Sequence, residues 1–448
     1  MLKDHPPAQG SFEFVTLEEL VPQDHLVRKI EKVVDFSFIH NLVADLYCAN
    51  NGRPALDPTC LFKLLLLGYI FGVRSERQLI KEVQVNVAYR WFLGFGLTDK
   101  IPDASTLSQN RRRRFNESDV YQQIFDEIVF QALQKGLIKG HHLYTDSTHI
   151  KASANKNKFT KAKVHSSSKD YLSELESSVQ EDRKFHGKKP LKAKLEKPLP
   201  ERVIKQSTTD ADSGYMVRDG KPKGFFYLDH RTVDGQCNFI TDVHVTGGNV
   251  HDSIPYLSRL DRQIQRFGFN VSAVGLDAGY FTAGICKGIE QRKIYGVISY
   301  RRLNHKKGFF YKREYIYNST GDYYQCPQGQ KLNYSTTSRE GYKHYKSNPK
   351  ICKDCPMLSR CTHSQTNQKT VTRHVWEESK ERINKHRLTP IGKALYKRRK
   401  ETVERSFADA KELHQYRYAK FRGLKKVQAQ SLMTATAQNI KKMALMVV

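Results

Sequence analysis

Residues 143–150 read Leu143-Tyr144-Thr145-Asp146-Ser147-Thr148-His149-Ile150, and their side chains alternate as those of a β-strand do. Before them, from about residue 57 to residue 136, apolar side chains recur at helical intervals instead. This change of period separates a helical N-terminal part from a part that contains a sheet. The aspartate within the strand is flanked by small hydroxyl residues that leave room for a cation, so Asp146 is the first candidate site residue.

The residues after this strand predict a mixed sheet with helices. Further strand patterns cover Gly224 to Val233, Asn238 to Val245, Val271 to Leu276 and Ile294 to Ser299. The first two are joined across Asp234-Gly235, which is a hairpin signal, and helical patterns at about 252–267 and from Thr282 accompany the later strands. Because the early strands form a hairpin and the later ones alternate with helices, we expect a mixed α/β sheet rather than a wholly parallel one.

The charge of the chain is concentrated in two segments. The 448 residues include 75 Lys and Arg against 46 Asp and Glu, a net charge of +29. Residues 1–150 and 206–300 are nearly neutral, whereas residues 151–205 carry +8 and residues 301–448 carry +22. A solvated basic face is the plain interpretation of the first segment, but the second indicates a nucleic-acid surface, since Lys and Arg release counterions from phosphates.

Several classes of protein are disfavoured by the sequence. It has no run of 18 apolar residues, so no membrane-spanning helix is expected, and its N-terminus lacks the pattern of a secretory signal. No Gly-Lys-Ser/Thr phosphate loop occurs, which argues against a nucleotide cofactor. We therefore expect a cytoplasmic protein.

Four of the eight cysteines are clustered, at Cys326, Cys352, Cys355 and Cys361. The spacing of Cys352 and Cys355 is that of a zinc knuckle, and four thiolates suit a structural Zn²⁺ site that would stabilise a small polar insertion. The alternative is a set of reduced thiols without metal. The remaining cysteines are scattered among apolar residues and are interpreted as small hydrophobic side chains.

Three carboxylates are candidates for a catalytic metal site. Besides Asp146, Asp277 ends a buried strand immediately before Ala278-Gly279, and Glu404 lies on a helix that is otherwise densely basic. The simpler interpretation is that Glu404 forms an ion pair with a neighbouring basic residue. The more specific one is that Asp146, Asp277 and Glu404 converge on divalent metal. Other carboxylates remain as alternatives: Asp210, Asp212, Asp229, Asp242 and Asp252. Of these, Asp210 and Asp252 are the ones to test next. Histidines on the strands, including His230 and His244, are expected to be structural.

Three motifs resemble those of the bacterial insertion-sequence DDE transposases. They are Tyr144-Thr145-Asp146-Ser147-Thr148, Gly275-Leu276-Asp277-Ala278-Gly279-Tyr280 and the segment from Tyr396 to Lys411. In the last, Tyr396-x2-Arg399 and Glu404-x6-Lys411 match the family's spacing. Four residues instead of the usual three separate Arg399 from Glu404, which leaves Arg398 and Lys400 as alternatives for the role of the arginine.

The resemblance implies an RNase H-like fold with a five-stranded mixed sheet, a mixed α/β or α+β class. An all-α N-terminal domain would occupy residues 1–136 and the first part of the core residues 137–300, with an exposed basic insert at 155–205. A Cys-rich insertion would follow at 301–390, and the C-terminal helical part of the core at 391–448.

The function implied is metal-dependent DNA cleavage and strand transfer at the terminal repeats of an insertion sequence. Asp146, Asp277 and Glu404 would hold two Mg²⁺ (or Mn²⁺) ions, with Asp146 bridging them. The partners would be double-stranded DNA, as terminal inverted repeats and target, and further copies of the chain in a homodimer or larger assembly at the bacterial nucleoid. A nuclease without strand transfer and a non-catalytic DNA-binding protein are the alternatives.

Two basic clusters are candidate DNA contacts. The first is Arg111, Arg112, Arg113 and Arg114, at the end of short helices that suggest a helix-turn-helix variant, with a packing or dimerisation module as the alternative. The second contains Tyr396, Arg398, Arg399, Lys400 and Lys411. Because residues seven apart share a helix face, Lys411 is expected on the side of Glu404.

Overall fold

The computed structural model describes residues 14–48, 55–165, 172–191, 201–217, 220, 222–300 and 306–447. The predicted basic insert lies partly outside these residues, at 166–171 and 192–200.

The N-terminal region is helical, as predicted. Its helices are α1 (Leu17–Leu20), α2 (Leu26–Val33), α3 (Phe38–Val43), α4 (Pro58–Ile70), α5 (Glu76–Val85), α6 (Val87–Leu93), α7 (Ala104–Asn110) and α8 (Val120–Gln134). The Asp57 carboxylate caps α4 by accepting a hydrogen bond from the Cys60 amide at 2.8 Å, and Pro58 begins the helix. Ser75 caps α5 in the same way. Local capping chemistry therefore sets where these helices begin.

The main sheet has an RNase H-like arrangement. Its elements are β1 (His142–Lys151), β2 (Phe159–His165), α9 (Leu172–Phe185), β3 (Glu201–Ser207), β4 (Gly214–Met216), β5 (Gly224–Asp234), β6 (Ile240–Gly247), α10 (Tyr256–Phe267), β7 (Ala273–Leu276), α11 (Ala283–Gln291) and β8 (Tyr295–Ile298). Five strands follow the order β6-β5-β1-β7-β8, in which β1 is antiparallel to β5 and parallel to β7. The predicted hairpin and mixed sheet are both confirmed, and β4, β3 and β2 extend the sheet from the start of β5.

A second, antiparallel sheet follows the first. Its elements are β9 (Ile316–Asn318), β10 (Tyr323–Gln325), β11 (Lys331–Thr337), β12 (Tyr342–Ser347), α12 (Pro349–Lys353), α13 (Leu358–Cys361) and β13 (Thr370–His374). It has a separate small core that includes Tyr315, Tyr324, Leu332, Tyr345 and Val371. Helix α9 packs against this sheet, where the Arg183 guanidinium donates to the Thr337 carbonyl at 2.9 Å.

The described residues after the second sheet form four α-helices: α14 (Glu377–His386), α15 (Pro390–Arg398), α16 (Arg405–Leu413) and α17 (Leu424–Val447). A π turn, Lys400–Glu404, joins α15 to α16, so the densely basic helix predicted to carry Glu404 is interrupted. Helix α17 is buried between β6 and the N-terminal helices α2, α4 and α8, and therefore ties the helical region to the sheet. Within the described residues, no helix combines the length and apolar character that crossing a membrane requires.

Candidate active site

Asp146 lies on β1, the central strand of the five-stranded core. Thr145 of β1 pairs with Leu276 at the end of the parallel strand β7, and Asp277 follows Leu276 directly. The register therefore places Asp277 beside Asp146 at the sheet edge. The Asp277 carboxylate accepts a hydrogen bond from the Ala278 amide and begins the turn that follows the strand.

Glu404 reaches the same place from the C-terminal helices through Arg399. The Arg399 guanidinium bridges the two carboxylates: Nη1 donates to Glu404 Oε1 at 2.7 Å, and Nη2 donates to Asp146 Oδ2. The side chain of Arg399 is only 7% exposed, whereas that of Glu404 is 44% exposed. Asp146 and Glu404 thus meet on one buried cation, although more than half of the chain separates them.

The π turn explains how Arg399 faces Glu404. The Glu404 amide donates to the Arg399 carbonyl, five residues back, at 3.4 Å. The common spacing is Arg-x3-Glu, and this chain has one more residue between Arg399 and Glu404. The wider turn accommodates that extra residue. Arg398 instead donates through Nε to the Gly235 carbonyl at 3.0 Å, and Lys400 is exposed. Of the three basic residues considered, Arg399 is therefore the one that pairs with the carboxylates.

Burial and nearby carboxylates together disfavour the charged form of Asp146. Burial raises the pKa of Asp146 to about 6; Arg399 and the Ser147 amide oppose this, while the negative charges of Asp277 and Asp252 add to it. Burial alone would lower the pKa of Arg399, but the surrounding carboxylates, Asp146 foremost, raise it above its ordinary value. Negative charge is thus crowded at Asp146, and one guanidinium compensates it only in part.

Lys411 also faces β1, as the seven-residue spacing predicts. Its ammonium donates to the Thr148 hydroxyl at 2.6 Å, two residues after Asp146. Tyr396 is half-buried one turn before Arg399. Of the predicted residues in this helical segment, Arg399 and Lys411 therefore contact the side of β1 that carries Asp146, whereas Arg398 and Lys400 are exposed.

The structure sorts the alternative carboxylates. Asp252 lies next to the site, where it accepts a hydrogen bond from the Ser147 hydroxyl at 2.7 Å. Asp229 is buried in an ion pair with Arg231 at 2.8 Å, Asp242 pairs with Arg262 at 3.0 Å, Asp210 accepts from the Tyr227 hydroxyl at 2.6 Å, and Asp212 accepts from the Leu424 amide at 2.9 Å. These four therefore have structural partners elsewhere, and Asp252 is the alternative that the fold brings to the site.

The first basic cluster is divided by the fold. Arg111 pairs with Glu76 and lies over the Phe421 ring at 4.4 Å, and Arg114 lies over the Tyr47 ring at 4.3 Å. Arg112 and Arg113 are exposed and have no ion pair with any described residue. A π turn spans Arg111–Phe115, so the four arginines do not follow one regular helix. Two of them are therefore engaged in packing and two face solvent.

The clustered cysteines lie around one small cavity of about 30 Å³ between the second sheet, α12 and α13. All four line it: Cys326, Cys352, Cys355 and Cys361. Cys361 accepts or donates a hydrogen bond with the Tyr315 hydroxyl at 3.2 Å, and Cys352 donates to the Ser347 hydroxyl at 3.2 Å. The fold therefore gathers the thiols, as the spacing predicts.

The carboxylate oxygens and the cysteine thiols are atoms that metals bind, but neither set is arranged as a complete coordination shell. Among the described residues, no three His, Cys, Asp or Glu side chains converge closely enough to hold an ion as they stand. The oxygen-only set of Asp146, Asp277 and Glu404 matches the preference of Mg²⁺ and Mn²⁺, and the thiols match that of Zn²⁺. At the carboxylates, Arg399 occupies oxygens that an ion would need.

Two features of the site are absent from the sequence prediction. One is the carboxylate-bridging position of Arg399, for which the irregular five-residue spacing to Glu404 is the signal. The other is the contact between Ser147 and Asp252, for which the chain has no local signal because the two residues lie 105 positions apart.

Two segments of the chain match models of known families. Residues 15–113 match the transposase domain DUF772, and residues 325–444 match a transposase DDE domain, which includes Glu404 and the clustered cysteines. No curated protein matches the chain. Among solved structures, a cryo-EM structure of the piggyBac transposase synaptic complex with hairpin DNA is similar at a TM-score of 0.34 and 10% identity, covering 94% of this chain and 78% of that one.

Proposed function

We propose that the chain is a DDE transposase, which cuts DNA at the ends of an insertion sequence and joins them to target DNA, because two of its segments match models of transposase domains. In this proposal Asp146, Asp277 and Glu404 are the metal-binding carboxylates. The observation that carries it is the pairing of Asp146 and Glu404 with one buried guanidinium, at the strand end where Asp277 also lies. A non-catalytic DNA-binding protein would not need two carboxylates from distant parts of the chain on one buried guanidinium.

Asp146, Asp277 and Glu404 would hold divalent metal, Mg²⁺ or Mn²⁺, and the chemistry supplied by the bound metal would be activation of water or a 3′-hydroxyl and stabilisation of charge on the leaving oxygen. The chain itself supplies the placement. Strands β1 and β7 fix Asp146 and Asp277, and the π turn directs Glu404 toward them. Arg399 holds Asp146 and Glu404 in place until their oxygens are needed as ligands.

The DNA contacts proposed here are the exposed basic residues around this site. Arg398 and Lys400 flank Arg399 on the solvent side, and Lys411 lies beside β1. Arg112 and Arg113 form a second basic surface on the N-terminal helices. The charge of +22 on residues 301–448 supports binding of double-stranded terminal repeats and target DNA. Paired cleavage at two element ends would require a homodimer or a larger assembly, which the mass of the protein–DNA complex in solution would test.

The test of this function uses the full chain, Mg²⁺ or Mn²⁺, and DNA that carries the repeats flanking its gene. Wild type should cut at the repeat ends and join them to target DNA. Glu404→Gln should bind the repeats with unchanged affinity but neither cut nor join. Glu412→Gln is the matched control, because Glu412 is exposed on α16, the helix that follows Glu404, and pairs with Arg417.

The outcomes separate the functional alternatives. Undiminished cutting by Glu404→Gln and Asp146→Asn would refute the carboxylate assignment. Cutting without joined products, over a range of target DNAs, would favour the nuclease. Binding without cutting by wild type in either metal would favour a repressor.

For the clustered thiols we propose a structural Zn²⁺. Its support is that Cys326, Cys352, Cys355 and Cys361 line one cavity, with a donor set that suits zinc. About one zinc per chain is expected in purified protein, and chelation should expose all four thiols to alkylation and lower the melting temperature. A zinc-free protein with full stability would show instead that the thiols are apolar packing groups.

A further inference from the structure

Asp252 lies between the chain segments that carry the two catalytic-candidate aspartates. One carboxylate oxygen, Oδ1, accepts the Ser147 hydroxyl at 2.7 Å, and Ser147 directly follows Asp146. The other oxygen, Oδ2, faces the turn after Asp277, where a Cβ added to Gly279 would lie 3.6 Å from it. The Asp252 side chain thus contacts the residue that follows Asp146 and lies against the turn that follows Asp277.

Two buried polar atoms near Asp252 have no hydrogen-bond partner among the described residues: His230 Nδ1 and Tyr280 Oη. Both residues are fully buried, and His230 Nδ1 lies 4.0 Å from Asp252 Oδ1. The other ring nitrogen of His230 is already bonded to the Thr246 hydroxyl at 2.9 Å. Since buried polar groups are nearly always paired, these two atoms indicate a small polar ligand such as water.

The Tyr280 hydroxyl interacts electrostatically with the carboxylates of Asp252 and Asp146. Burial raises the pKa of its hydroxyl well above the ordinary value, and the negative charges of Asp252 and then Asp146 raise it further. The hydroxyl therefore stays protonated and can donate a hydrogen bond toward this negative charge. His230, Tyr280 and Asp252 thus form a cluster of polar side chains next to the candidate metal site.

We propose that Asp252 is a positioning residue for the DNA cleavage proposed above, on which this inference rests. Asp252 ties β1 to the turn after Asp277, and water held by His230 and Tyr280 completes its hydrogen bonds. Asp146 and Asp277 are thereby kept at the spacing that metal loading requires. Removing Asp252 or its link to Ser147 weakens metal binding without disturbing DNA binding.

Asp252 acts by positioning because it approaches β1 from the face opposite to Glu404. Side chains alternate along a strand, and Ser147 pairs with His230 on one face while Asp146 meets Arg399 on the other. Glu404 and Lys411 come from the C-terminal helices on the face of Asp146, whereas Asp252 precedes α10 on the face of Ser147. The carboxylate therefore supports the strand from behind the site.

The test measures Mn²⁺ binding to the full chain without DNA by titration calorimetry. Asp252→Asn keeps an acceptor for the Ser147 hydroxyl but removes the charge, and Ser147→Ala keeps the charge but removes the hydrogen bond. Each should weaken Mn²⁺ binding by about 10- to 100-fold, the usual cost of losing such an outer partner. The Mg²⁺ concentration for half-maximal cleavage should rise in parallel, while repeat-DNA affinity and the metal-free melting temperature stay near those of wild type.

Asp261→Asn is the control, because Asp261 on α10 is 51% exposed and pairs with Arg292, away from the site. If Asp252→Asn and Ser147→Ala both bind Mn²⁺ like this control, the inference is overturned. Should Asp252→Asn melt far below wild type, Ser147→Ala decides the matter alone. Failure of the proposed function is distinguishable, because it would appear as undiminished cleavage by Asp146→Asn and Glu404→Gln whatever the Asp252 variant does.

Discussion

Arg399 and Glu404 form an ion pair of 2.7 Å across a π turn, although Glu404 is five positions after Arg399 in the chain. In a regular α-helix residues five apart point about 140° away from each other. The π turn brings the two side chains to one side, and the same guanidinium then reaches Asp146. The geometry of the site therefore depends on a backbone irregularity at Lys400–Glu404.

Removing one residue from the π turn should leave the site assembled. Deletion of Glu401, which is exposed, turns Arg399 and Glu404 into partners four residues apart in an ordinary helix. We expect cleavage within about tenfold of wild type, or ~1.4 kcal/mol in activation free energy. Circular dichroism of the variant should show unchanged helix content.

Insertion provides the contrast. One alanine added after Glu401 rotates Glu404 by a further ~100° about the helix axis, so that its pairing with Arg399 is lost. Cleavage by this variant should fall below detection while DNA binding remains. Equal damage from deletion and insertion would show that the π turn does not set the register of Glu404.

Arg399→Ala should destabilise the metal-free protein. Asp146 is only 18% exposed, and without the guanidinium its carboxylate loses a charged partner. We expect the free energy of unfolding in EDTA to fall by about 1–3 kcal/mol. Added Mn²⁺ should restore more of it than it adds to wild type, because the ion replaces the missing positive charge.

Chemical denaturation with and without Mn²⁺ measures this effect. Arg398→Ala is the control, since Arg398 is exposed and its side chain bonds, within the described residues, only to the backbone of Gly235 and Gln236 and to Glu401. A loss in EDTA no greater than that of Arg398→Ala would mean that Arg399 does not support the carboxylates.

The elements that local patterns specify could be predicted. The alternation around Asp146 and the turn at Asp234-Gly235 gave the central strand and the hairpin, because strand period and turn chemistry act over a few residues. The position of Asp277 beside Asp146 also followed, since it needs only the parallel pairing of β1 with β7, which the resemblance implies.

Features that depend on distant partners could not be predicted. Residues 393–413 have the periodicity of one helix, and the π turn within them accompanies a contact of Arg399 with Asp146, which lies in a distant part of the chain. Likewise, Asp252 differs from the other alternative aspartates only through its contact with Ser147. Such contacts have no local pattern, because they depend on how the sheet and the helices pack.

The arginines of residues 111–114 should separate into two functional pairs. Arg112 and Arg113 are exposed, so replacing each by alanine should lower the slope of log affinity against log salt by about 0.9 and leave stability unchanged. Arg111 is held by Glu76 and Phe421, so Arg111→Ala should cost about 1 kcal/mol of unfolding free energy. DNA binding at several salt concentrations and thermal melts measure the two effects. The reverse assignment, with Arg111 alone affecting DNA binding, would show that the helices present a different face.

His244 should make the protein sensitive to acid. Burial lowers the pKa of His244 to about 4, with Arg259 and Arg262 adding to the shift and Asp242 opposing it. Because folding lowers the pKa of this imidazole, the unfolded chain takes up the proton more readily than the folded protein. The free energy of unfolding is therefore unaffected by His244 above the unfolded pKa, near 6.5, and decreases as the pH falls toward 4. At pH 4.5 this loss amounts to about 2 kcal/mol for the one residue.

His244→Gln removes this proton-linked loss. The variant should therefore lose about 2 kcal/mol less unfolding free energy than wild type between pH 7.5 and pH 4.5, even if it is less stable at neutral pH. Denaturation at a series of pH values in metal-free buffer measures the slope. His40→Gln, at an exposed histidine of α3, should keep the wild-type slope. Parallel pH profiles for wild type and His244→Gln would mean that His244 accepts a proton as readily in the folded protein as in the unfolded chain.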